Sequence, residues 1–307
     1  MHIPSPTSPV YEVLSRSHAD LERAAELGDG MRSALWLREQ LEDTIYDRPG
    51  HHTLSLYLED GFDVHLYDEP ERRGAPGKLC LLPAGHASRW RIKGRIRFVH
   101  VYFTPETLGQ LAVRMLDREP RTLELHQRVY VDDPQLAALA GRLAMQDWSD
   151  ANGRLEANAL GHEIMARLLL DYSGRPTQAK VRGGLAPAQR RRVLELIEAR
   201  LAEPLSVSML ADELALSEYH FARMFRASVG EAPHRWILRR RLARARELLA
   251  AGQWPLERIA AACGFSHASH LTRHFRAAAT ATPNAYRQWA QARQDLDATI
   301  CRTSAVR

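Results

Sequence analysis

Cysteine is scarce: Cys80, Cys263 and Cys301 are the only three in 307 residues, and no two stand in CxxC spacing. This argues against a disulfide framework or a zinc site and fits a reducing cytoplasm. Apolar runs are short, none near the ~18 residues that a membrane span needs. The opening MHIPSPTSPVYEV has neither a basic n-region nor an apolar h-region, so no secretory signal and no membrane partner are expected. Lysine is missing from the second half, where every basic residue after Lys180 is arginine. Residues 182–307 hold 20 Arg and Lys against 11 Asp and Glu, whereas residues 1–181 hold 22 against 26. Guanidinium donates paired hydrogen bonds to phosphate and guanine, so the basic half suits a polyanion and the mildly acidic half another task.

What is present divides in the same place. TLSLYLE and FDVHLY alternate apolar and polar residues around Asp60–Gly61, which predicts a hairpin. KLCLLP, SRWRI and IRFVHVYF follow as further short strands, so residues 50–103 predict a small barrel or sandwich. Two amphipathic helices come next. Asp133–Trp148 aligns Leu136, Leu139, Leu143 and Met145; Leu155–Tyr172 aligns Leu160, Ile164, Leu168 and Leu169. These stripes either close over the strands or pair with a second copy. The polar stretch Ser173–Gly184, SGRPTQAKVRGG, reads as a linker. Beyond it everything predicts helix: Ser206, Ser217 and Ser266 stand as N-caps, Pro187, Pro233, Pro255 and Pro283 as helix openers, and Gly252 as a left-handed stop.

These helices contain an internal repeat. Shifted by 49 residues, Ala211, Leu216 and Ser217 fall on Ala260, Phe265 and Ser266; shifted by 50, Phe221, Arg223, Phe225 and Arg226 fall on Leu271, Arg273, Phe275 and Arg276. The extra residue is expected early in the second helix of the later copy. Each copy has the pattern of a helix-turn-helix: a small alanine where two helices approach, a capped turn, and an i, i+4 apolar pair that buries against the first helix. The outward face then carries Tyr219, Ala222, Arg223 and Arg226 in one copy, and Ser269, His270, Thr272, Arg273 and Arg276 in the other. An ordinary helical bundle has no need of arginines at matching outward positions.

LADELALSEYHFARMFRASVGEAPHRWI and IAAACGFSHASHLTRHFRAAATATPNAYRQ resemble the DNA-binding domain of the AraC/XylS family of bacterial regulators over about Leu185–Ala290. The resemblance implies two helix-turn-helix units joined by a long central helix near Pro233–Ala251. It places Tyr219, Ala222, Arg223, Ser269, His270 and Arg273 nearest the bases. It also implies double-stranded DNA and RNA polymerase as partners, a homodimer, and activation more than repression. Arg223 and Arg273 are expected on guanine edges, and Arg226, Arg276 and several central-helix arginines on phosphates. One departure is Thr280, where the family often has glycine and the first copy has Gly230.

GKLCLLPAGHASRWRI…RFVHVYFTP resembles the cupin-like sensor domain found ahead of such DNA-binding domains. Gly77, Pro83 and Gly85 match part of a cupin motif, but Ser88 occupies its histidine position, and His51–His52 are adjacent and point to opposite faces of a strand. No metal or other cofactor is therefore expected. Trp90, Phe98 and His100 are the candidate lining of a small-molecule effector pocket, or else ordinary core. The expected fold is α+β: a cupin-like β-barrel with a helical pair at residues 1–174, a linker at 175–184, an all-α double helix-turn-helix domain at 185–292 and a tail at 293–307. Three other readings remain. A cupin enzyme fused to a DNA-binding domain needs converging ligands that are lacking. A DNA-repair methyl acceptor needs a reactive cysteine, and only Cys80, inside an apolar strand, lies in the first half. A first half that only dimerises needs no pocket.

Overall fold

The computed structural model describes residues 9–174, 183–252 and 254–304. The chain divides into two compact units, Met1–Ala112 with Leu123–Thr177, and Val113–Thr122 with Gln178–Arg307. Most of the expected linker lies outside the described residues. No described helix is long and apolar enough to cross a membrane.

In the first unit, helix α1 (Pro9–Arg16) precedes β1 (Ala19–Gly28), β2 (Met31–Arg38), β3 (Glu42–Asp47), β4 (His52–Asp60), β5 (Val64–Leu66), β6 (Leu79–Leu82), β7 (Ala87–Ile92) and β8 (Ile96–Phe103). Helix α2 (Pro105–Leu116), strands β9 (Glu124–Leu125) and β10 (Arg128–Val131), helices α3 (Pro134–Met145) and α4 (Ala151–Asp171) and strand β11 (Ser173–Gly174) follow. The strands do not close into a single barrel. They form a six-stranded sheet ordered β1-β2-β8-β4-β6-β10, a three-stranded sheet ordered β3-β7-β5, and the small pair β11-β9. The Asp60–Gly61 turn exists, with positive φ at both residues, but it makes no hairpin: β4 pairs with β6 and β8, whereas β5 pairs with β7. A turn dipeptide sets the local reversal, and the sheet that accepts the next strand is decided by which apolar face it covers.

The larger sheet is buried on both faces, so β8 reads as an almost unbroken apolar run. Its alternate residues Leu35, Val99, Val101 and Phe103 pack with Leu136, Leu143, Leu160, Ile164 and Leu168 of α3 and α4. The helical stripes therefore close over the sheet of their own chain. Met145, expected on that stripe, is 83% exposed at the end of α3. On the other face Trp36, Phe98 and Tyr102 pack with Tyr46, Val64, Trp90 and Ile92 of the smaller sheet. His51 stands edge-on to Tyr102 and His52 lies against Phe103, on opposite faces as adjacent strand residues must.

The second unit is helical: α5 (Pro187–Ala199), α6 (Val207–Asp212), α7 (Glu218–Val229), α8 (Pro233–Ala251), α9 (Leu256–Ala262), α10 (Ala268–Ala279) and α11 (Pro283–Ser304). Much of the expected tail is thus the end of α11. Two cores share α8. Trp236 and Ile237 at its start join Val193, Ile197, Leu210, Phe221 and Phe225. Leu242, Ala245 and Leu249 further along join Ile259, Ala260, Leu271 and Phe275. With 19 residues α8 is about 28 Å long, a rigid spacer between the cores.

Candidate functional site

The first helix-turn-helix is built by local rules. Ser206 accepts the N–H of Met209 and starts α6; Ala215 turns the chain in the left-handed region at φ 53°; Ser217 accepts the N–H of His220 and starts α7. Phe221 and Phe225 are fully buried with ring centroids 5.5 Å apart. Their burial turns the opposite face outward. Tyr219 is 79% exposed, Arg223 and Arg226 are exposed, and Ala222 is half-buried.

The second copy repeats this with one change. Gly264 (φ 75°) takes the place of Ala215, and the Phe265 N–H reaches the Ala260 carbonyl as the Leu216 N–H reaches Ala211. The N-cap of α10 is His267, not Ser266: its ring Nδ1 accepts the N–H of His270, while Ser266 Oγ pairs with His270 Nδ1 at 3.1 Å. The extra residue of the repeat is therefore absorbed in the turn, ahead of the helix. A loop takes an insertion without breaking an i→i−4 ladder, whereas a helix would rotate its whole outer face. Leu271 and Phe275 bury; Ser269, Arg273 and Arg276 are exposed, and His270 and Thr272 are half-buried. Thr272 Oγ1 donates to the Ala268 carbonyl, so its hydroxyl proton is already used. Thr280 adopts the left-handed conformation of Gly230, φ 54° against 91°.

The outward arginines differ from their neighbours. Among the described residues Arg223, Arg226, Arg273 and Arg276 form no ion pair with a carboxylate, and Arg273 Nη2 lies 3.4 Å from His274 Nε2. The central-helix arginines, expected on phosphates, are largely engaged within the domain. Arg239 pairs with Glu231, Arg240 with Glu198 and Arg244 with Glu247, and Arg241 donates to the carbonyls of Leu201 and Glu203. Helices α7 and α10 thus offer guanidinium groups that no carboxylate among the described residues engages, and α8 uses its own to brace α5 and the turns. Of these ties only Arg244–Glu247, at i, i+3, was legible in the sequence.

In the first unit, Trp90, Phe98 and His100 line one pocket between the two sheets. Phe98 and His100 sit two apart on β8 with ring centroids 4.8 Å apart. His100 Nδ1 pairs with the Tyr102 hydroxyl at 2.9 Å, and burial lowers its pKa to about 3, so the ring is neutral. Two of the further lining residues carry unpartnered polar atoms. Arg38 is only 1% exposed, pairs with Glu42 and donates to Thr44 Oγ1, yet its Nε–H has no partner; Ser55 Oγ is also buried and unpartnered. Both face the cavity among Tyr46, Tyr57 and Trp90. Arg38 ends β2, MRSALWLR, whose short apolar run ALWL was the missed strand signal. Among the described residues no three His, Cys, Asp or Glu side chains converge as a metal-ligand set.

A helix-turn-helix domain model matches residues 210–288. The regulatory protein PocR of Salmonella typhimurium is 31% identical over 133 residues, which cover 43% of this chain and 44% of PocR. The probable transcriptional regulator LumQ of Photobacterium leiognathi is 36% identical over 90 residues, 29% of this chain and 36% of LumQ. The chain thus spans less than half the length of these curated relatives. A transcriptional regulator structure from Chromobacterium violaceum, described as an AraC-type DNA-binding domain-containing protein, is 31% identical over 34% of this chain and 92% of that one, with a TM-score of 0.32. Residues 210–288 of the C-terminal helical unit thus carry a helix-turn-helix domain, similar in sequence to parts of the transcription regulators PocR and LumQ.

Proposed function

We propose that this chain is a sequence-specific transcription regulator, more an activator than a repressor, that reads two successive major-groove segments of double-stranded DNA. The supporting observation is the pair of capped helices α7 and α10, each presenting exposed arginines that no carboxylate of the described residues engages. Arg223 and Arg273 meet base edges, with Tyr219, Ala222, Ser269, His270 and Thr272 beside them; Arg226 and Arg276 meet phosphates. A spacer the length of α8 suits recognition helices about one DNA turn, roughly 34 Å, apart. Residues 185–292 are the DNA-binding part, and residues 1–174 form a cupin-like sensor that also holds the homodimer. RNA polymerase is the further partner.

The test is selection of duplexes from a random-sequence library with the full chain, followed by the same selection with Arg273→Ala. Loss of preference at one site position, with about 1–3 kcal/mol less discrimination, is expected. Uniform weakening on all sequences would make Arg273 a phosphate contact, and recovery of no consensus at all would end the reading.

The orphaned Arg38 Nε–H and Ser55 Oγ favour a sensor that binds ligand over one that only dimerises. Glu42 already offsets the Arg38 charge, so the cavity suits a small aromatic or alicyclic molecule with an uncharged oxygen acceptor. A thermal-shift comparison of matched amides and carboxylates on the full chain tests this: amides should raise the melting temperature. An exclusive response to carboxylates, or to neither, would count against it.

A further inference from the structure

We propose that His270 and His274 of α10 form a two-imidazole site for a borderline divalent transition ion, of the zinc, nickel or copper class, and that its occupation competes with DNA. The residues stand at i, i+4 on one helix face, the spacing by which paired histidines on a helix hold zinc. Their Nε2 atoms are 3.1 Å apart. Two metal–nitrogen bonds of about 2.0–2.1 Å spanning that gap meet at roughly 100°, close to a tetrahedral angle. The site needs no rearrangement of the helix.

Both facing nitrogens can present lone pairs to an ion after one tautomer shift. His270 Nδ1 lies 3.1 Å from Ser266 Oγ, a hydroxyl that donates to Nδ1 in the metal-free protein and can accept from Nδ1–H once Nε2 is given to the ion. This outer hydrogen bond on the distal nitrogen is the arrangement that orients metal-ligating imidazoles. A guanidinium only donates, so the Arg273 Nη2 approach makes His274 Nε2 the acceptor, and His270 Nε2–H donates to it in the metal-free protein; on binding, the His270 proton moves to its Nδ1, where the Ser266 hydroxyl turns to accept it, leaving both rings neutral. Neither ring pairs with a carboxylate among the described residues. His267 does not complete the set through Nδ1, which accepts the His270 N–H and lies 2.7 Å from Ser269 Oγ. Water fills the remaining positions on the ion. Occupation removes the His270 Nε2 from base contact and sets a dication beside Arg273, whose guanidinium lies 3.4 Å from His274 Nε2.

The consequence for DNA rests on the function proposed above; the metal site itself does not. Nickel is titrated by calorimetry into the full chain and into His270→Gln and His274→Gln, with circular dichroism to confirm helix content. The wild type should bind one equivalent more than either variant; equal stoichiometry in all three overturns the site. Affinity for a library-selected duplex is then measured with nickel and with chelator. A tenfold or greater loss in nickel, absent in both variants, is expected. A bound equivalent without any change in DNA affinity overturns the competition. If the chelated wild type binds no duplex, the regulator reading fails while the nickel stoichiometry still decides the site.

Discussion

Thr280 shows how one residue can oppose its own backbone. It closes α10 at φ 54°, and its buried Oγ1 has no hydrogen-bond partner. A β-branched side chain in the left-handed region costs about 1–2 kcal/mol, and glycine gives part of that back as greater freedom of the unfolded chain. Thr280→Gly is therefore expected to stabilise the second unit by about 0.5–1 kcal/mol, a few degrees in melting temperature. Scanning calorimetry checks it, and a lower melting temperature would contradict the assignment of strain. A second residue-scale effect concerns His52 and His100, whose pKa values burial lowers to about 4 and about 3. Unfolded histidine takes up its proton near 6.5. Between that pH and about 4 the unfolded state binds more protons than the folded one, so stability is full above 6.5 and falls on acidification. Each ring then removes on the order of 1 kcal/mol per pH unit over the window. Urea unfolding of the first unit from pH 7.5 to 4.5 should show this slope, and His100→Phe should flatten it.

Helix starts set the outward faces of α7 and α10 at the scale of elements. Ser217 is the N-cap of α7, and without its hydroxyl the His220 N–H, at 3.3 Å, loses its acceptor. Ser217→Ala should cost about 1 kcal/mol and fray the turn that holds Tyr219 in place. The expected outcome is lower thermal stability and weaker duplex binding, with Ser217→Asp restoring both; an unchanged affinity would mean that the first turn of α7 stays clear of DNA. The caps, the Pro starts and the buried i, i+4 pairs were legible because they are local, set within five residues of each other. The turn ahead of α10 was not. Ser266 has the better capping chemistry by type, but the turn runs one residue further before α10 starts: the Ser266 hydroxyl pairs with His270 Nδ1 and His267 takes the cap. The hairpin expected at Asp60–Gly61 failed for a related reason: β5 finds its partner 26 residues later in β7.

For the whole molecule, the division of the chain reaches beyond its linear order. Val113–Thr122 belongs with the C-terminal helices. Arg190, almost fully buried, donates to the Asp117 carbonyl at 2.6 Å and to its carboxylate at 2.8 Å. Asp117→Ala removes one of these bonds from a half-exposed partner and should cost about 1 kcal/mol. A fragment starting at residue 178 loses both bonds and the buried Val113, so denaturant unfolding should find it less stable than the same helices in the full chain by more than that. Equal stability would show that 113–122 adds nothing.

Residue order alone determined the duplicated helix-turn-helix, its outward arginines, the strand character of residues 50–103 and the two helices within 133–172, because period, caps and turn residues act over a few positions; α2, β9 and β10 between them were not read. Only the tertiary structure decided that the strands make two facing sheets, that the α3 and α4 stripes are consumed within one chain, and that Arg38 and Ser55 meet at the cavity of Trp90, Phe98 and His100. Those outcomes depend on pairings between distant strands and on which buried polar group finds a partner, and no local pattern records either.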